Sequence, residues 1–412
     1  METRGALIAP VLVTPRGTRG VRGPAMDDPL VLTPGAVAWA DGRITFVGDP
    51  ADLPEGVTAE RADGATIAPG FVDAHTHLPF IGWRADEFEA RLAGATYRDQ
   101  HGGGGGIPRS ARMLAAASDD EVLAFCRPLV AEMAALGTTT LELKTGYGLS
   151  VEAELRQARL ARTLATEAPQ RCTVTLLACH AVPDGVAREA WVAEVCDVLI
   201  PAIADEGLAD AVDVYVEDIA FSLEDLDRVA AAAARAGLAI RAHADQLAPS
   251  GAAGATARLG ARSADHLNHA GPDGIVALAE SETVALLLPT STLLLRAEPA
   301  PARALVDAGA IVGLATDCNP GTSPVLSMPE AIATACALYR LTPHEALTAA
   351  TLNAAAALGL ARDTGSIEVG KRADLVVLEG EGFRQVPYRP GHAPVLRTVI
   401  GGATVVRRDA AR

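Results

Sequence analysis

The chain has 412 residues, 49% hydrophobic but only 4% aromatic, enough apolar mass for a large core packed from Ala, Leu and Val plus a smaller second domain. Its 51 Asp and Glu against 35 Lys and Arg give a net charge of -16, so neither nucleic acid nor an anionic membrane is an expected partner. Residues 1–10 lack the basic and apolar regions of a cleavable signal, no apolar run approaches the ~18 residues of a membrane helix, and the six cysteines show no Cys-x-x-Cys spacing, so a cytoplasmic protein with reduced, mostly buried thiols is expected.

Residues 1–68 hold short alternating runs broken by Gly and Pro, among them 36–39, 43–47 and 66–68, while 11–29 reads as a loop. The run Pro69-Gly70-Phe71-Val72-Asp73-Ala74 then delivers His75 and His77. Residues i and i+2 of a strand share a face, so both imidazoles can meet one metal ion at the strand's end. Alone, the pair fits surface or packed histidines equally well. His101 precedes the glycine run 102–106, which suits a lid joint or an ordered turn.

Seven further β-like runs follow at regular intervals: 137–147, 171–180, 212–218, 238–245, 262–266, 283–289 and 310–317. Segments with helical spacing, such as 151–165 and 223–236, separate them and are long enough to be crossover helices. Strands alternating with helices imply parallel pairing, and eight such units imply an α/β fold closed as a (β/α)8 TIM-type barrel. The C-terminal strand ends of that fold form one mouth, where His77, Tyr147, His180, His243, His266 and Asp317 would converge. Cys179 and Cys318 sit beside the mouth, but neighbours on a strand face opposite sides, which favours packing over catalysis. From 366 onward the short alternating runs return, at 366–378, 396–399 and 404–406. The two ends should pair into a small β-sandwich, dividing the chain into 1–68, 69–365 and 366–412.

The opening Pro69-to-His77 stretch, His243, Asp317 and the closing Gly365-to-Val377 stretch together resemble the metal-dependent amidohydrolase superfamily. Longer blocks narrow the resemblance to its imidazolonepropionase family: Phe88 to Tyr97, the glycine run through Gly106-Ile107, Leu143 to Leu149, His243 to Leu247, Ser263 to Leu267 and Ala315 to Pro324. The resemblance runs over nearly the whole chain. It implies one Zn2+ or Fe ion held by His75, His77, His243 and Asp317, a donor set that suits either metal. Asp317 would transfer protons and His266 would hold the attacking water. The implied reaction is hydrolysis of the ring C–N bond of 4-imidazolone-5-propanoate to N-formimino-L-glutamate by a metal-activated water.

The same resemblance assigns substrate binding to Arg84, Tyr147, His180, Gln246, Asn319, Gly321 and Thr322. Plainer roles exist beside these: Arg84 can pair with Asp86 or Glu87, His243 can be a packed core histidine, Asp317 can cap a helix, and Asn319-Pro320-Gly321 is a good turn. Gln246 stands where deaminases of the superfamily carry a proton-shuttling glutamate, and an amide cannot shuttle protons. One ion is expected rather than two, because the fourth run ends in Glu217-Asp218 where two-metal relatives carry a bridging lysine. Lys144 belongs to the second run, which leaves Glu217 as the one candidate bridge. Trp83 and the stretch 290–295 depart from the family pattern. Another cyclic-amide or amidine hydrolase, or a barrel that has lost catalysis, fits the same chain, and a homodimer is compatible with it.

Overall fold

The structure, a computed structural model, describes residues 4–95 and 104–408. Tyr97, His101, Gly102 and Gly103 lie outside the described residues. Eight parallel strands run in chain order around one sheet: β1 (Phe71–Asp73), β2 (Thr138–Lys144), β3 (Arg171–Cys179), β4 (Ala211–Val216), β5 (Ala239–Ala244), β6 (Ser263–His266), β7 (Val284–Leu287) and β8 (Ile311–Leu314). Nearly every strand residue is buried, which suits strands covered by side chains inside the barrel and helices outside it. Two of the crossover helices start where polar side chains supply the missing acceptors. Ser150 caps Val151–Glu167, and Ser222 with Asp225 forms a capping box on Leu223–Arg235.

The seam between β8 and β1 closes just beyond the strands themselves. Thr76 bridges Cys318 in parallel register, the His77 N–H donates to the Cys318 carbonyl at 2.8 Å, and the Asp73 carboxylate accepts Thr316 N at 3.0 Å and Thr316 Oγ1 at 2.6 Å. These bonds lock together the two segments that carry His75, His77 and Asp317. The ladder therefore ends earlier than the apolar pattern suggests: β1 stops at Asp73 and β8 at Leu314. His75 and His77 stand on an extended segment past the strand, because the chain must leave the ladder to enter the mouth.

Both chain ends build sheets separate from the barrel. Leu375–Glu379 pairs antiparallel with Ala65–Pro69 in a six-stranded sheet that also holds Val11–Thr14, Leu30–Leu32, Val395–Ile400 and Ala403–Arg407. A four-stranded sheet of Gly5–Ala9, Gly35–Ala40, Arg43–Gly48 and Glu60–Arg61 packs with it around Leu7, Leu12, Trp39, Ile67, Leu375 and Val399. Segment 11–29 is not a free loop. It contains the strand Val11–Thr14 and the 3-10 turn Gly23–Asp27, and Val21 exchanges hydrogen bonds with the Asn353 side chain at 2.7 and 2.9 Å. That pairing across the whole chain length leaves no local mark in the sequence. All six cysteines are free, with burial pushing the Cys126 thiol up to about 12 and Cys179 well above its ordinary value. Among the described residues, no helix is long and apolar enough to cross a membrane.

Candidate metal centre and active site

Four groups meet at the mouth from three places in the chain. His75 Nε2 and His77 Nε2 are 3.3 Å apart, and Asp317 Oδ1 lies 3.3 Å from His77 Nε2 and 3.6 Å from His75 Nε2. His243, on β5, brings a ring nitrogen within 4.8 Å of both other imidazoles. All four residues are buried, and His243 Nε2 and Asp317 Oδ1 have no hydrogen-bond partner. Buried polar atoms without partners are rare and need an explanation.

A shared cation supplies one. Two donors each about 2.1 Å from one ion at a tetrahedral angle stand about 3.4 Å apart, close to the spacings found here. The tautomers agree. His75 Nδ1 pairs with Asp265 Oδ2 at 2.6 Å and His243 Nδ1 with Asp213 Oδ1 at 3.1 Å, which leaves each Nε2 with its lone pair toward the centre. Burial, then Lys144 and the neighbouring imidazoles, holds His75 well below its ordinary value; burial does the same for His77. Neutral imidazoles are the form that ligates.

Beneath the histidines lies a buried ionic network. Lys144 Nζ is 2.8 Å from both Glu142 Oε1 and Asp213 Oδ2, and Arg241 joins Glu142 and, at 3.0 Å, Asp265 Oδ2. Glu142 thus links the carboxylate behind His75 to the one behind His243. A charge inside a barrel survives only when paired this way.

His266 belongs to a second close cluster, with His75 and Asp317. Burial drives it down to about 3, whereas burial raises the Asp317 carboxyl against the opposing pull of His266 and His243. His266 and Asp317 both take left-handed backbone, at φ 77° and 56°. Such conformations in residues other than glycine are strained and concentrate at functional sites. Glu217 belongs to no metal cluster among the described residues.

Above the centre is a cavity lined by Arg84, Tyr147, His180, Gln246, Asn319 and Thr322, together with His77, His243, His266 and Asp317. Ile107 and Tyr215 also line it. Both were missed in the sequence, Ile107 because its helix follows the glycine run, Tyr215 because it lies inside an apolar strand. His180 stacks on His77 with centroids 5.0 Å apart, and its Nδ1 faces the Gly146 carbonyl at 3.1 Å, which turns Nε2 away as an acceptor.

Arg84 is 4% exposed and precedes the helix Ala85–Leu92. Its guanidinium donates to the Gly106 carbonyl and to Ser110 Oγ at 3.2 Å and pairs with Glu87 Oε2 at 3.4 Å, so the ion pair with Glu87 and the place in the cavity coexist. Gly321 lies against it, outside the cavity lining, and a Cβ there would overlap the guanidinium. Asn319 reaches the cavity, but its amide spans the turn, with Oδ1 accepting Gly321 N at 2.9 Å and Thr322 N at 2.7 Å.

A parallel barrel whose mouth gathers three buried imidazoles and a carboxylate defines a hydrolase of the metal-dependent amidohydrolase kind. The amidohydrolase family pattern matches residues 66–405. The chain is 44% identical over 393 residues to the imidazolonepropionase of Deinococcus radiodurans, covering 95% of this chain and 97% of that one. It is also 44% identical over 391 residues to the imidazolonepropionase of Agrobacterium fabrum, covering 93% of each. Among solved structures, an adenosine deaminase from Xanthomonas campestris with bound zinc shares the fold at a TM-score of 0.73 and 22% identity, covering 98% of this chain and 92% of that one. The chain belongs to the amidohydrolase family and, within it, to the imidazolonepropionases.

Proposed function

We propose that the cavity hydrolyses the ring C–N amide bond of 4-imidazolone-5-propanoate to N-formimino-L-glutamate, as implied by relatives matched over nearly the full length. The observation that carries the site's part in this reading is the set of four clustered buried donors, three of which, His77, His243 and Asp317, have a buried polar atom without a hydrogen-bond partner. His75, His77, His243 and Asp317 would hold one ion, Zn2+ or Fe, since imidazole and carboxylate suit both. Such an ion acidifies water toward neutral pH and polarises a carbonyl.

The chain's own groups supply the rest. Asp317 takes the proton of the attacking water as its oxygen bonds to the ring carbonyl carbon, then returns that proton to the ring nitrogen as the C–N bond breaks. His266, kept neutral by burial, holds the water by a hydrogen bond. Arg84 receives the propanoate, since a guanidinium grips a carboxylate with two parallel N–H bonds. Tyr147 and His180 contact the ring and carboxylate, and Gln246 hydrogen-bonds the ring. Asn319, Gly321 and Thr322 complete the binding loop, Gly321 by leaving room for Arg84. A cytoplasmic enzyme is the matching setting, with no nucleic acid or membrane partner, and a homodimer is compatible with it.

Release of formiminoglutamate from this substrate by the metal-loaded chain is the test, and no release would overturn the reading. Arg84→Ala should raise KM at least about tenfold with a smaller change in kcat, because a charged hydrogen bond in the bound state is lost. An unchanged KM would move the carboxylate site elsewhere. Gly321→Ala should act in the same direction by displacing the guanidinium, and normal KM there would show that the loop yields instead.

A further inference from the structure

Glu217 is a buried carboxylate at the mouth to which the reaction assigns no task. It directly follows β4, is 3% exposed, and its Oε1 accepts the backbone N–H of Gln246 at 2.6 Å and of Leu247 at 2.9 Å. Its Oε2 is buried without a hydrogen-bond partner. Burial pushes the group up to about 7, and the nearby Asp245 and Asp218 act in the same direction. A carboxylate placed at such cost fixes something the site needs.

What it fixes is the start of the loop after β5. The far side of that loop is held independently, by the Asp245 carboxylate accepting Ser250 N at 2.7 Å and Ala253 N at 3.0 Å. Gln246 is itself held at the first anchor, and its side chain lines the cavity. Glu154 does a comparable task in the loop carrying Tyr147, accepting Gly146 N at 3.1 Å and Gly148 N at 2.7 Å. Glu154 reaches back from the helix that follows its own loop, whereas Glu217 crosses from β4 to the loop of the neighbouring strand.

We propose that Glu217 is a positioning residue that holds the Gln246 amide at the cavity and thereby sets affinity for the substrate ring. This rests on the reading of Gln246 as a ring-binding group. A backbone tether that fixes one binding side chain should act on KM and should act only through that side chain.

The experiment is steady-state kinetics of the metal-loaded full chain on 4-imidazolone-5-propanoate, with Glu217→Ala, Glu217→Gln, Gln246→Ala and the double variant Glu217→Ala/Gln246→Ala. Glu217→Ala should raise KM about tenfold with kcat within about threefold, while Glu217→Gln, which keeps an acceptor, stays within about twofold of wild type. The double variant should match Gln246→Ala alone, since two residues acting through one contact are not additive. An unchanged KM in Glu217→Ala, or an equal further rise in the Gln246→Ala background, would overturn the proposal. Should the alanine variant not fold, Glu217→Asp withdraws the carboxylate by one methylene and must raise KM instead, and an unchanged KM there overturns it too. A wild type inactive on this substrate overturns the functional reading and this inference with it, whereas an active wild type with an indifferent Glu217→Ala overturns this inference alone.

Discussion

Asp317→Asn should cut kcat by about a thousandfold, because one side chain performs both proton transfers and the amide can perform neither. The fold should survive. Burial already disfavours the charged form of Asp317, so a neutral amide of the same shape removes a desolvation cost as well as a ligand. The expected signature is an unchanged unfolding midpoint without metal beside near-complete loss of formiminoglutamate release. Turnover close to wild type would show that another group moves the proton, with His266 the first candidate, since it shares the cluster with Asp317.

Lys144→Met should have the largest effect on stability. Lys144 lies 2.8 Å from Glu142 Oε1 and 2.8 Å from Asp213 Oδ2, and all three side chains are fully buried. Removing the ammonium leaves two carboxylates facing each other out of water, with Arg241 and the Thr175 hydroxyl left to answer Glu142. Breaking a buried pair in this way costs about 3 to 5 kcal/mol. Because Asp213 also orients His243, metal affinity should fall about 10- to 100-fold. Urea unfolding and metal titration of the variant read the two effects separately. An unchanged midpoint together with unchanged affinity would mean that the network neither stabilises the barrel nor aims the histidine.

The barrel was legible because its strands are apolar runs at regular spacing, and parallel strands buried on both faces leave that mark. His77, His266 and Asp317 each close such a run, whereas His75 and His243 lie inside theirs and entered the ligand set through the family resemblance. The network beneath them was not legible. Glu142, Asp213, Arg241 and Asp265 occupy alternate positions inside strands, where a sequence shows only polar interruptions, and apart from Lys144 beside Glu142 their side-chain partners in the network lie 22 to 190 residues away. Asn319 shows the opposite case, because its turn chemistry and its place at the cavity coexist and the sequence cannot rank them. The early end of β1 at Asp73 was hidden because the i, i+2 spacing of His75 and His77 still reads as strand after the hydrogen-bond ladder stops.

The most direct test of the account is metal analysis of the purified chain paired with an assay for formiminoglutamate release. One Zn2+ or Fe ion per chain is expected, lost together with activity under a chelator and no longer retained when His75 and His243 are replaced by alanine. A chain that stays fully active after its metal has been removed would contradict it.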